Sequence, residues 1–331
     1  MRELAAPIKA DLDILEKKLT GFLETGDAFQ DKISAHIFRA GGKRVRPALF
    51  LAIAKTLGLE SENRFAVAAA LEYIHTASLL HDDVIDAAGS RRGKPTVNAL
   101  WDNTIAILSG DRVHATASRL LICARSFEMF DSVCEAVQKM SESEIFHLTI
   151  LWKQNTTKEE YERVVHGKTA KLFEVSALAA SQILHMPSEV QDGLASYGLN
   201  LGFAFQIIDD CLDFQSTEKD MGKPVLNDLS EGKITLPLIL AMKSDYEESI
   251  ELKNLVISVC EKKSATKDEL LRIKTLVHLA NGVTLARNIA KEKVESAKSA
   301  LQKAFSAAKI QDAAALEALA RVPDLLLNRN N

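Results

Sequence analysis

Residues 65–86 read FAVAAALEYIHTASLLHDDVID, and residues 194–213 read LASYGLNLGFAFQIIDDCLD. Each is an apolar run too long for a strand, with little charge before its last turn, and reads as a helix buried on nearly every side. Two such helices, near 63–86 and 188–214, form the centre of an all-α fold. Outward from them, apolar residues recur at spacings of three and four, the sign of helices that each bury one stripe. This periodicity predicts helices near 8–24, 29–39, 47–57, 95–109, 111–126, 129–151 and 158–183. Further helices are predicted near 233–243, 248–262, 267–280, 283–307 and 311–321. Glycine (15) and proline (7) are scarce in the 331 residues, and Asp111 to His166 contains neither. A sandwich, barrel or Rossmann sheet needs turn residues far more often, and no GxGxxG is present. No linker or low-complexity segment divides the chain, so 1–331 is expected to be a single domain.

Lys+Arg 41 against Asp+Glu 45 gives a net charge of −4, which excludes a global basic field for nucleic acid or an anionic membrane. No apolar stretch is long enough to span a bilayer. The N-terminus, MRELAAPIKADLDILEKKL, is charged and amphipathic rather than an apolar signal core. Cys123, Cys134, Cys211 and Cys260 show no CxxC spacing and are too sparse for a disulfide framework. A cytoplasmic protein with no membrane anchor is expected.

Both central helices close on the same pattern, Asp82-Asp83-Val84-Ile85-Asp86 and Asp209-Asp210-Cys211-Leu212-Asp213. The first and last aspartates of each are four apart, so their carboxylates share one helix face. Like charges repel there, and the helix dipole already makes that end negative, each effect costing a few tenths to about 1 kcal/mol. A divalent cation reverses both penalties. Hard oxygen donors suit Mg²⁺, which keeps water and shares its shell with substrate phosphates. One DDxxD arises by chance in roughly one chain of this length in fifteen, but two copies in only a few per thousand.

Cations accompany the carboxylates. Gly41-Gly42-Lys43-Arg44-Val45-Arg46-Pro47 sets three just before a helix N-terminus, where a bound phosphate would satisfy both the cations and the free N–H groups. Arg91-Arg92-Gly93-Lys94-Pro95-Thr96 follows the first acidic motif, again at an expected helix start. Lys168-Thr169 follows Gly167, and Lys219, Lys223 and Lys233 follow the second motif. The combination suits a polyanionic headgroup with an apolar tail.

The segments GGKRVRP, LLHDDVIDAAGSRRGKPTVN, HGKTAKLFE and GFAFQIIDDCLDF with MGKPVLNDLSEGKITLPL resemble the trans-prenyltransferases, the isoprenyl (polyprenyl) diphosphate synthases. The resemblance keeps one order from about residue 35 to 240. It implies ten or more helices around a central cavity, a homodimer, and head-to-tail condensation of isopentenyl diphosphate (IPP) onto an allylic diphosphate. It further implies Mg²⁺, about three ions with substrate bound, clamping phosphate oxygens. By the same resemblance Asp82 and Asp86 hold Mg²⁺ on the allylic diphosphate, supported by Asp83. Asp209 and Asp213 hold a further ion, with Asp210 nearby. Lys43, Arg46, His75 and Arg92 bind the IPP diphosphate. Arg91, Lys168, Thr169, Gln206, Lys223 and Lys233 face the allylic substrate.

Charge neutralisation on the departing diphosphate lets the allylic C–O bond ionise. The IPP double bond then attacks the carbocation, which oxygen dipoles such as Thr169 and Gln206 steady. No side-chain nucleophile is required, so Cys211 is expected to pack rather than react. The segment Gln215–Lys233 is expected to act as a lid. Departures from the family pattern lie at Gly110-Asp111-Arg112, at His147 where glutamine is common, and at Ala87-Ala88-Gly89-Ser90. None of these is expected to touch a ligand. A terpene cyclase would not need the IPP cations. A non-catalytic subunit of a heteromeric synthase would usually have lost an acidic motif, and an incidental helical bundle requires every cluster to coincide by chance. Small Ala77 and Ser78, one turn above Asp82, predict a long product, on the order of C30–C50 and octaprenyl-like, over the shorter farnesyl or geranylgeranyl types.

Overall fold

The computed structural model describes residues 6–39, 41–215 and 226–329. Its regular structure is helical apart from one short hairpin, in keeping with the all-α expectation. In chain order the helices are α1 (Lys9–Gly21), α2 (Ala28–Arg39), α3 (Val45–Leu57) and α4 (Asn63–Ile85), followed by the hairpin β1 (Ser90–Arg91) and β2 (Lys94–Pro95). Then come α5 (Val97–Leu100), α6 (Asn103–Ile122), α7 (Phe127–Thr149), α8 (Lys158–Val165), a π-helical turn (His166–Ala170), α9 (Lys171–Ile183) and α10 (Ser188–Gln215). The last are α11 (Asn227–Ser230), α12 (Leu236–Lys243), α13 (Glu248–Lys262), α14 (Lys267–Leu279), α15 (Gly282–Ser306) and α16 (Ala313–Leu327).

These residues form two compact units. One draws on Met1–Val137, Glu174–Ala195 and Ala300–Val322, the other on Gln138–Phe173, Ser196–Ser299 and Pro323–Asn331. In the first, α4 packs along α6 and against α1 and α3. Phe65, Val67, Ala68, Ala69, Leu71 and Tyr73 of α4 are buried, as the apolar run predicts. Helix α3 is buried on nearly every side too, which its short segment does not announce. In the second unit, Ile207, Ile208, Cys211 and Phe214 of α10 join α12, α13 and α14 in one core.

Two differences from the sequence reading lie around the first acidic motif. The segments expected as separate helices, 95–109 and 111–126, are largely one helix, α6, with no break at Gly110. A Cβ on that glycine would lie 2.3 Å from His81 Nε2, so a larger residue there would have to push the partly exposed His81 ring aside. The helix instead starts at Asp102, whose side chain accepts from Ile105 N–H at 2.8 Å. Upstream, the segment after the first acidic motif forms the β1–β2 hairpin, closed over Arg92 and Gly93, both in the left-handed region, and then reaches the expected helix start, with Thr96 capping α5.

Candidate active site

In the first unit, α4 delivers its acidic motif at its C-terminal end. Asp86 is the capping residue, and its N–H donates to Asp82 O at 2.8 Å, stacking the two residues one turn apart. Asp82 is half-buried and Asp86 exposed. Asp83 is different. It is 5% exposed, and Arg91 places Nε and Nη2 both 2.8 Å from its Oδ1. The hairpin is what returns Arg91 to Asp83, and Asn98 Nδ2 ties the Asp83 carbonyl to that of Ala88. Arg91, expected on the allylic substrate, therefore has a protein carboxylate as a partner.

The cations at the start of α3 have protein partners of their own. Arg44 adopts φ 46° and is satisfied internally, Nε donating to Glu16 at 2.6 Å and Nη1 to Glu72 at 2.7 Å. Arg92 Nη1 donates to Gly41 O. A Cβ on Gly42 would stand 2.9 Å from Arg44 Nη1 and 3.2 Å from Arg92 Nη1, so the two guanidinium groups converge over a residue with no side chain. His75 lies in the same field. Burial first, then Arg46, Arg92, Arg91 and Arg44, holds its pKa well below the usual imidazole range, so it is neutral and offers a hydrogen bond rather than a charge. Lys43 is exposed and Arg46 buried on the same turn.

In the second unit a cavity of about 140 Å³ is lined by His147, Tyr161, Lys168, Thr169, Gln206, Asp210, Asp228 and Lys233, with Val164, Val165 and Ile234 supplying apolar wall. The π turn after α8 carries Lys168 and Thr169; such turns recur at functional sites because they break the helical register. Gly167 lets the turn lie close against α7, since a Cβ there would lie 2.5 Å from the Ser143 side chain. Thr169 Oγ1 donates to Gln206 Oε1 at 2.8 Å, and Gln206 Nε2 donates to Asp210 Oδ1 at 2.8 Å. Tyr161 donates to Asp210 Oδ2 at 2.5 Å. Burial, with Asp228 next, pushes the Asp210 carboxyl well up, and burial with Asp210 pushes up the Tyr161 hydroxyl. Lys168 pairs with Glu144 at 2.6 Å and Lys233 with Glu231.

Asp209 and Asp213 each carry protein partners. Arg329 Nη1 lies 2.6 Å from Asp209 Oδ1, its guanidinium over the Phe205 ring. The two oxygens of Asp213 accept the Asn227 and Asp228 N–H groups, both at 3.2 Å, and so start α11. Cys211 is buried, its thiol pushed up to about 12 by burial and then Asp210, so it packs and does not react.

Of the expected residues, Lys168, Thr169, Gln206, Asp210 and Lys233 share the cavity, and His75, Arg46, Arg91 and Arg92 share one electrostatic field. Lys219 and Lys223 lie outside the described residues. His147, one of the departures from the family pattern, lies in the cavity wall. Tyr161, Asp228 and Arg329 carry contacts that sequence reading did not assign. Tyr161 stands seven residues before Lys168, two helical turns, which is the one signal that could have found it. Arg329 has none, being 120 residues from its partner.

Among the described residues no three carboxylate, imidazole or thiol groups converge as a ready metal cage. The donor set still fits a hard cation that takes one or two carboxylates and completes its shell with water and phosphate oxygens.

Residues 28–274 match the family model described as polyprenyl synthetase. The chain is 34% identical over 302 residues to octaprenyl diphosphate synthase of Haemophilus influenzae, covering 91% of this chain and 90% of that protein. It is 33% identical over 313 residues to geranylgeranyl diphosphate synthase of Saccharolobus solfataricus, covering 92% and 88%. A crystal structure of polyprenyl synthase from Caulobacter crescentus, complexed with calcium and isoprenyl diphosphate, superposes with a TM-score of 0.90 at 29% identity, covering 100% of this chain and 98% of that one.

Proposed function

The chain belongs to the polyprenyl synthetase family, and from that premise we propose that it condenses IPP head-to-tail onto an allylic diphosphate, giving a long polyprenyl diphosphate and releasing diphosphate. The observation that carries this reading is that each acidic motif has its second aspartate held inside the protein and its first left partly open, although Asp213, unlike Asp86, is buried as well. The second aspartate is turned into the protein, Asp83 to Arg91 and Asp210 to Tyr161 and Gln206, while Asp82, Asp86 and Asp209 stay at least partly open to solvent. Burying one acid among protein donors anchors each helix end and sets the outer carboxylates for a cation.

Asp82 and Asp86 would hold Mg²⁺ on the allylic diphosphate and Asp209 and Asp213 a further ion, about three ions in all. Asp213 can do so while capping α11, because a carboxylate offers about four lone-pair sites. Bound Mg²⁺ would neutralise charge on the leaving diphosphate. Lys168 and Lys233 bind the same group, and Lys43, Arg46, Arg92 and neutral His75 bind the diphosphate of IPP. As the allylic C–O bond breaks, its electron pair leaves with diphosphate, and the Thr169 and Gln206 oxygens face the carbocation. The IPP double bond supplies the new C–C bond, and the proton lost from the adduct passes to the released diphosphate. The apolar walls exclude water that would quench the cation.

A long product is favoured by Ala77, small and buried a little over one turn before Asp82. Relatives making octaprenyl and geranylgeranyl diphosphates are equally similar, so the length rests on that residue rather than on identity. A homodimer is supported by apolar side chains exposed on α6 and α7, with Phe127 90% exposed and Leu108, Ile122 and Ile145 more than half so. One functional domain is supported by a family match that runs through residues of both compact units. The four free cysteines, and described helices none of which is long and apolar enough to cross a membrane, fit a cytoplasmic setting. The test is release of inorganic diphosphate from IPP and farnesyl diphosphate by the purified chain alone. Mg²⁺-dependent release with labelled product beyond C20 is expected; no release would refute the reading.

A further inference from the structure

The hydrogen-bond series in the cavity has a fixed direction. Asp210 accepts at both oxygens, Oδ1 from the Gln206 amide nitrogen and Oδ2 from Tyr161, and the Gln206 oxygen accepts from Thr169. The orientation of that amide thus follows from where Asp210 holds its oxygen. Gln206 and Asp210 stand four apart on α10, one turn of the same face. Asp210 is in turn fixed from a different helix: Tyr161 of α8 donates to its other oxygen at 2.5 Å. Tyr161 is 6% and Asp210 3% exposed, so water does not substitute readily for either partner.

We infer that Tyr161 is a positioning residue for the condensation: through Asp210 it sets the Gln206 amide with its oxygen, not its N–H₂, toward the allylic cation. The inference rests on the reading above in which Gln206 and Thr169 face that cation. A reversed amide would present two N–H dipoles to developing positive charge, so its sense decides whether the group helps or hinders ionisation. The tyrosine's ring belongs to the core that includes Val165, Ile207 and Ile234, and that packing alone would account for an aromatic residue. It does not account for a hydroxyl held on one oxygen of a carboxylate whose other oxygen holds the glutamine.

The experiment is a double-mutant cycle of Tyr161→Phe and Gln206→Ala, read as kcat, KM for each diphosphate and melting temperature. Phenylalanine keeps the ring and removes only the hydroxyl. Tyr161→Phe is expected to lower kcat about 10–100-fold, as small misplacements of a reacting group do, with both KM values within about threefold of wild type. In the Gln206→Ala background the same change should have little further effect on kcat, because the group it positions is gone. Tyr161→His, which restores a donor but not the apolar ring, should recover part of the lost kcat. Additive losses in the cycle, or a Phe variant with wild-type kcat beside an impaired Gln206→Ala, would overturn the inference and leave the condensation reading intact. A Gln206→Ala enzyme with wild-type kcat would overturn both the cation-facing role and the inference built on it. Should Tyr161→Phe fail to fold, the histidine variant alone decides: a folded Tyr161→His with kcat lowered as far in the presence of Gln206 as in its absence refutes the positioning role.

Discussion

Replacing Asp82 and Asp83 separately by alanine should give opposite results on stability. Asp83 is almost wholly buried, and two guanidinium nitrogens of Arg91 lie 2.8 Å from one of its oxygens. Removing one partner of a fully buried pair costs about 3–5 kcal/mol, whereas an exposed pair is worth about 0.2–1 kcal/mol. Arg91 is 38% exposed and can recover solvation, so the loss belongs between these limits, about 2 kcal/mol. For a chain of this size that is a fall in Tm of about 4–6 °C. Asp82 stands one turn from Asp86 at a helix C-terminus. Its removal relieves like-charge repulsion and an unfavourable dipole contact, each worth about 0.3–1 kcal/mol, so Asp82→Ala should melt at or above the wild-type temperature. Turnover should order differently, since the loss of a metal-binding carboxylate costs at least the 10²–10³ typical of one transition-state contact. Metal-free thermal melts and diphosphate release at saturating Mg²⁺ measure the two quantities. A metal-free Asp82→Ala that melts below Asp83→Ala, or an Asp83→Ala with wild-type Tm, would refute the assignment of inner and outer aspartates.

In the proposed IPP site His75 is a neutral hydrogen-bond partner, so His75→Gln should hold KM for IPP within about threefold, while His75→Ala should raise it about tenfold, the worth of one good hydrogen bond; initial-rate kinetics decide, and equal KM values for both variants would contradict the role. Because His75 is disfavoured as a cation in the fold, the unfolded chain binds the extra proton, and stability should fall as pH drops below about 6.5; thermal melts from pH 8 to 5 should show a shallower acid limb for His75→Gln. Arg92→Ala or Lys43→Ala should raise KM for IPP more than for the allylic primer, and Lys233→Ala the reverse, measured by varying each substrate at saturation of the other. Ala77→Phe should shorten the product toward about C15 without abolishing condensation, read by chromatography of labelled products, because an extended isoprene unit spans roughly one helical turn.

The fold was legible because burial is written in patterning: the long apolar runs of α4 and α10 mark the two helices that carry the acidic motifs. Helix α6 was misdivided for a physical reason. Gly110 looks like punctuation in one dimension, and only the fold shows it inside a helix, close against the His81 ring. The acidic and basic motifs were readable because each lies within a few residues along the chain. Contacts made between distant segments were not. Nothing near Arg44 in sequence announces Glu16 and Glu72, and nothing near Asp209 announces Arg329. The carboxylates of one motif look alike on paper, and their division appears only once β1 returns Arg91 and α8 brings Tyr161.

The π turn at His166–Ala170 has a bearing on how this chain tolerates changes in length. Each residue of an α-helix advances about 100° around the axis, and a π turn holds one more residue than the ladder on either side requires. Val165 before it and Leu172 and Phe173 after it are all buried, so the surplus residue lets both flanks keep their apolar faces inward while Lys168 and Thr169 swing to the cavity. Deleting one residue here would let an unbroken α-helix form from Lys158 to Ile183. Helix content would survive and the flanks could stay packed, but the polar pair would be turned out of the cavity wall. Such a deletion would erase function while leaving almost no trace in a circular-dichroism spectrum, a lesion of phase rather than of composition.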